Sequence, residues 1–152
     1  EMPEALMAGS IDYFVASEPT PSLAETRGAV QVATMGGLGN YYPIMIVAHR
    51  KTIEERPEDL RRLLGALARA VRFMEEEPDR SLDIVAKATG LPPAAARSAM
   101  RRHAYGVNLD AKTVDSLQHT AEFMATHEVL PTAPDVSAAC VPDFLHGPKN
   151  SK

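Results

Sequence analysis

Residues 11–25 read IDYFVASEPTPSLAE, and the way this stretch is read decides the fold class. Tyr13, Phe14 and Val15 are apolar in succession rather than in alternation. That pattern belongs to a strand covered on both faces, as in a parallel sheet. Pro19 and Pro21 stop the strand, because proline has no N–H to give to a ladder. Ser22 followed by Glu25 three places on has the form of a capping box, and it predicts a short helix to about Arg27. Upstream, residues 3–8 look like the end of a helix, with Gly9 where a left-handed cap costs least. Helix, turn and buried strand in this order predict an α/β fold.

Working outward, AVQVAT (29–34) predicts a second strand and YYPIMIVAH (41–49) a third, with the glycine loop MGGLGN (35–40) between them. Pro43 places the third run at an edge or a strand entrance. From Glu58 the period becomes helical: Leu60, Leu63, Leu64, Leu67, Val71 and Met74 share one stripe, and Arg61, Arg62, Arg69 and Arg72 lie mostly off it. Pro57 belongs to the first turn and Pro78 ends the helix. Further helices are expected over 79–89, closing at Gly90, from Pro93 to about His103, and from Asp110 to Glu128. The tail from 131 is proline-rich and turns polar after Leu145, which predicts irregular structure and a disordered end.

Composition narrows the function classes. The chain has 152 residues, 45% of them hydrophobic, enough for one globular domain. A net charge of −4 gives no overall attraction to nucleic acid or to an anionic membrane. Cys140 is the one cysteine, so no internal disulfide forms, and the histidines have no metal-ligand spacing. No apolar run is long enough to cross a bilayer. The amphipathic pattern begins at once, without an initiator Met or a secretion signal, and the chain reads as part of something larger.

Three stretches invite a chemical reading. MGGLGN lacks the spacing and the lysine of a phosphate loop and precedes a strand, so it reads as a connection or a hinge. SLDIVAKATGLPPAAARSAMRR (81–102) has the outline of a helix-turn-helix unit and a local excess of positive charge. Its second helix, however, offers almost no long polar side chain to reach base edges. A DNA-binding or regulatory module centred on 81–103 is therefore the alternative reading. Asp12 and Glu18, six apart on a strand, would be separated by about 20 Å and make no catalytic pair. Ser17 and Glu18 instead stand at the carboxyl end of a strand, where open α/β sheets bind ligands. The plainer reading makes Glu18 a helix cap or a partner for a basic side chain.

Taken together, EALMAGSIDYFVASEP, a glycine-containing loop, YPIMIVAHRKTIEERPEDLRRLLGALARAVRFMEEEP and the helices after it have a specific order. Ala5, Leu6, Gly9, Ile11, Asp12, Glu18 and Pro19 carry the first part of that pattern. The chain resembles, over most of residues 4–130, the later half of ABC-transporter substrate-binding proteins that take up sulfonates, nitrate, taurine or thiamine-precursor pyrimidines. The resemblance implies a partial periplasmic-binding-protein-like fold of two α/β lobes that close on a ligand. It assigns 1–40 to the end of the second lobe, 41–48 to a hinge crossing strand, 49–130 to the helical part of the first lobe and 131–152 to a tail. It implies a small anionic or aromatic ligand, a membrane permease as partner, a periplasmic or extracytoplasmic location, and neither enzymatic activity nor a cofactor. The expected ligand-binding residues are Ser17, Glu18, Asn40, Tyr41 and Tyr42, with no metal and no nucleic acid. Relatives often carry an aromatic residue just before the Glu-Pro pair, where this chain has Ala16-Ser17. A chain with an uncovered sheet edge is also expected to self-associate or swap.

Overall fold

A computed structural model describes residues 2–34, 43–141 and 144. The helices are α1 (Met2–Met7), α2 (Thr20–Glu25), α3 (Arg50–Glu55), α4 (Pro57–Glu76), α5 (Pro78–Thr89), α6 (Pro93–Arg101) and α7 (Ala111–Thr126). A 3₁₀ turn covers Ser137–Ala139. The chain divides into two compact units, the first made of 1–34 with 70–105 and the second of 35–69 with 106–152.

The expected α/β fold with a sheet is not what forms. Among the described residues there is no strand: 11–16, 29–34 and 43–49 are neither helical nor joined in a ladder. Tyr13 and Val15 are 79% and 75% exposed, and Val30 and Val32 are 82% and 93% exposed, so these runs are not covered on both faces. The physical reason lies in what a strand needs. Its backbone groups find partners only on another segment, so β-propensity reports fitness for a sheet and not the presence of one.

The helices follow local rules more closely. Gly9 at φ 69° closes α1, and the Ser10 N–H reaches the Ala5 carbonyl at 2.9 Å. Gly90 at φ 71° closes α5, and its N–H bonds the Ala86 carbonyl at 2.9 Å. An alanine in this left-handed position meets no steric obstacle but pays in backbone strain. Gly90→Ala is therefore expected to lower stability by about 1 kcal/mol, measurable by urea unfolding; an unchanged midpoint would remove the cap's importance.

Pro78 turned out to open α5 rather than merely end α4, because its fixed φ suits a first helical position. Asp110 caps α7, its Oδ1 accepting from the Thr113 N–H at 2.8 Å and from the Thr113 hydroxyl at 2.7 Å. Those two bonds hold the Asp110 carboxyl below its ordinary pKa range. α3 has no counterpart in the hydrophobic pattern, since only Ile53 in RKTIEE is apolar. It starts where the His49 Nδ1 accepts from the Lys51 N–H at 3.1 Å.

The first unit is built on small side chains. Ala24 of α2 is 1% exposed, and Ala95 and Ala96 of α6 are both 0% exposed. Pro3, Ser22, Ser81, Leu82 and Ala99 are buried in this unit as well. α6 packs against both α2 and α5, and α1 packs on α2. Short side chains let helix backbones approach closely, and that approach fills the interior. In α4 the stripe is only partly used: Leu60, Leu64, Val71 and Met74 are half-buried, but Leu63 and Leu67 face outward. No residue of α4 is fully buried.

Candidate functional site

Between Tyr13 and Glu18 the exposure alternates residue by residue. Phe14, Ala16 and Glu18 are half-buried, whereas Tyr13, Val15 and Ser17 are exposed. A period of two is the mark of an extended backbone with one packed side. Ser17 and Glu18 therefore fall on opposite sides of the segment, and only Glu18 faces the first unit's interior.

There Glu18 joins a polar cluster. Its Oε2 accepts from the Ser22 N–H at 3.2 Å, which satisfies one of the free donors at the start of α2. Its Oε1 accepts from the Arg102 Nη1 at 2.9 Å. Arg102 Nη2 donates to both oxygens of Glu25, at 2.8 and 2.9 Å, and Nη1 also reaches the Ser22 hydroxyl at 3.3 Å. One guanidinium at the end of α6 thus ties together the segment before α2 and the end of α2 itself. The planar fork of arginine makes this possible; a lysine has a single point charge and no such geometry.

The Glu18 side chain is 11% exposed, that of Glu25 27% and that of Arg102 34%. Burial pushes the Glu18 pKa up, but the bonds from Arg102 and Ser22 outweigh it and hold the carboxyl below the usual glutamate range. The same two carboxylates raise the Arg102 pKa, Glu25 first and Glu18 second. Two carboxylates and one guanidinium leave the cluster with one net negative charge.

The expected capping box at Ser22 and Glu25 is replaced by a different arrangement. Ser22 lies inside α2, not at its start, and is 1% exposed, while Glu18 caps the helix from four residues upstream. The Glu18–Pro19 peptide bond that leads into the helix is cis. Asn40, Tyr41 and Tyr42 lie outside the described residues.

Arg102, Glu25 and Ser22 are the participants that sequence reasoning did not assign to this site. Arg102 stood only in the basic count of the helix-turn-helix reading. Eighty-four residues separate it from Glu18, and no spacing rule spans such a distance. The α5–α6 pair does form around Gly90, but Ala95, Ala96 and Ala99 are buried and so present no reading face. Arg97 donates to Asp79 at 3.2 Å, and Arg102 is held by Glu18 and Glu25, so part of that stretch's positive charge is neutralised within the chain.

Among the described residues no three His, Cys, Asp or Glu side chains are grouped to hold a metal ion, and no helix is long and apolar enough to cross a membrane. An open depression on α6, lined by Pro93, Ala94, Arg97, Ser98, Arg101 and Arg102, is the outer side of one helix.

Residues 1–90 match the NMT1-like family, and the chain belongs to it. The family is consistent with the substrate-binding proteins of ABC transporters, and its members are usually not enzymes. The matched region holds Glu18, Ser22 and Glu25 and ends at Gly90, so Arg102 lies beyond it. Neither the curated proteins nor the solved structures contain a match to this chain.

Proposed function

We propose that the chain is part of the solute-binding component of an ABC importer and takes a small anionic or aromatic molecule, of the sulfonate, nitrate or pyrimidine kind. The observation that carries this reading is the family match over residues 1–90. The proposal includes delivery to a membrane permease, an extracytoplasmic location, and a cleft between two lobes. It also keeps the division into 1–40, a hinge at 41–48, a helical part at 49–130 and a tail at 131–152. The ligand-binding residues proposed are Ser17, Glu18, Asn40, Tyr41 and Tyr42.

The cluster's charge restricts how such a ligand sits. A carboxylate repels an anionic group, so the ligand's charged end points away from Glu18, and where the ligand carries a donor such as an amine, that donor faces it. Ser17, on the open side of the same segment, is free to contribute its hydroxyl.

Thermal unfolding in the presence of nitrate, taurine, an alkanesulfonate and an aminopyrimidine tests the reading. One of them is expected to stabilise the chain, by about 2.7 kcal/mol at a hundred times its dissociation constant. No shift with any of them at millimolar concentration would overturn the assignment of ligand class. In the chain that responds, Glu18→Gln separates contact from scaffolding: a weaker affinity supports contact, and an unchanged one leaves Glu18 as a cap and clamp.

A further inference from the structure

The chain after α7 turns back and is fastened. Glu128 has φ 59°, in the left-handed region, and the N–H groups of Val129 and Leu130 both donate to the Met124 carbonyl, at 2.8 and 3.2 Å. Further on, the Val136 N–H donates to Gln118 Oε1 at 2.9 Å. The contact on α7 thus moves from Met124 back to Gln118, so the segment runs back along the helix. Gln118 is itself set in place, its Nε2 donating to Glu122 Oε1 at 3.2 Å. Asp135 shapes the next turn: its Oδ1 accepts from the Ser137 N–H at 3.0 Å, from the Ser137 hydroxyl at 2.6 Å and from the Ala138 N–H at 3.4 Å.

A second hold lies on α4. The Arg61 guanidinium stands over the Phe144 ring, 5.3 Å from its centre, in a cation–π contact. Val136, Cys140 and Phe144 are half-buried, whereas Ser137, Ala138, Ala139 and Val141 are exposed. Both holds, with α7 and the start of α4, belong to the second unit. The closely packed helix pairs, α5 with α6, α2 with α6 and α1 with α2, lie in the first.

We propose that the C-terminal segment is a releasable strap on the second unit, with Gln118 of α7 and Arg61 of α4 as fastenings that hold or let go together. Each hold alone is weak: one is a hydrogen bond between uncharged groups, the other a cation–π contact of a guanidinium that is 36% exposed. The chain between Val136 and Phe144 is short, so fastening either end keeps the other near its seat at a high effective concentration. Opening one end removes that advantage, and the loss of one hold is felt at the other.

Hydrogen exchange and chymotrypsin cleavage of residues 1–152 read the two holds separately, the first at the Val136 amide and the second at the bond after Phe144. In Gln118→Ala, exchange at Val136 is expected to rise at least about tenfold and cleavage after Phe144 at least about threefold. Arg61→Ala is expected to speed both as well. Gln118→Glu combined with Glu122→Gln keeps an acceptor for the Val136 N–H and a hydrogen bond between the two side chains, and should return both readouts to within a few fold of the native chain. His119→Ala, exposed beside Gln118, should change neither. Exchange in α5, in the first unit, should stay the same in every variant, which separates release of the strap from loss of the fold. The proposal is overturned by a Val136 amide that exchanges freely in the native chain, by unchanged cleavage after Phe144 in Gln118→Ala, by unchanged Val136 exchange in Arg61→Ala, by no rescue from the paired substitution, by a response to His119→Ala, or by an equal rise in α5.

Discussion

Replacing Arg102 with alanine is expected to destabilise the chain by about 2 kcal/mol, because two part-buried carboxylates lose their shared counter-charge. For a chain of this size that lowers the melting temperature by roughly 4–8 °C. A fully buried pair would lose more, but the guanidinium is 34% exposed and solvent screens part of the interaction. Arg101→Ala, one residue earlier and exposed, should change stability by less than about 0.5 kcal/mol. Equal effects of the two substitutions would show that the clamp contributes nothing specific. Arg102→Lys is expected to recover little, since an ammonium cannot serve both carboxylates in one plane.

The same cluster sets a pH dependence. Glu18 has a lower pKa folded than unfolded, so the unfolded chain binds more protons near that pH and stability rises with pH there. Its contribution is complete above the ordinary glutamate value of about 4.3 and is lost as pH falls from there through the lowered folded value. Urea unfolding at a series of pH values should show this loss in the native chain and a shallower one in Arg102→Ala. Identical slopes for the two chains would count against the clamp as its source.

The largest packing effect is expected at Ala96. This side chain is 0% exposed in α6, which packs against both α2 and α5, and the nearby Ala95 and Ala24 are 0% and 1% exposed. Leucine adds three carbons where no space remains, so Ala96→Leu must push helices apart or force side chains off their rotamers. A loss of about 3 kcal/mol is expected. Ala94→Leu, on the exposed side of the same helix, serves as the control and should cost less than about 0.5 kcal/mol. If both substitutions were tolerated equally, the close approach of α6 to its neighbours would not be what holds this unit.

These expectations mark where sequence reasoning succeeded and where it ran out. The left-handed caps at Gly9 and Gly90, the start of α4 at Pro57 and the start of α7 next to Asp110 all depend on residues within one turn of each other. Each was readable because its cause is local. The alanines of α6 looked like a poor recognition surface, and their real use as a packing surface depends on α2, some seventy residues away. α3 escaped notice because its signal is a histidine cap and a charged sequence, not an apolar stripe.

Glu18 shows the same division in a single side chain. Its place at the end of an apolar run, immediately before a proline, was legible, and so was the alternative that it caps a helix or pairs with a base. What the sequence could not supply was the base, because Arg102 is 84 positions away and is brought in only by the packing of α6 on α2.

By itself the sequence determined the helices apart from α3, the caps at Gly9 and Gly90 and the kinship to the NMT1-like family, since each of these is written in short-range order or in the pattern of the first 90 residues. Only the tertiary structure decided that the valine-rich runs form no sheet among the described residues and that Glu18 is clamped by Arg102. The physical reason is common to both: a ladder and an ion pair each need a partner distant in the chain, and local preference can prepare a residue for that partner without providing it.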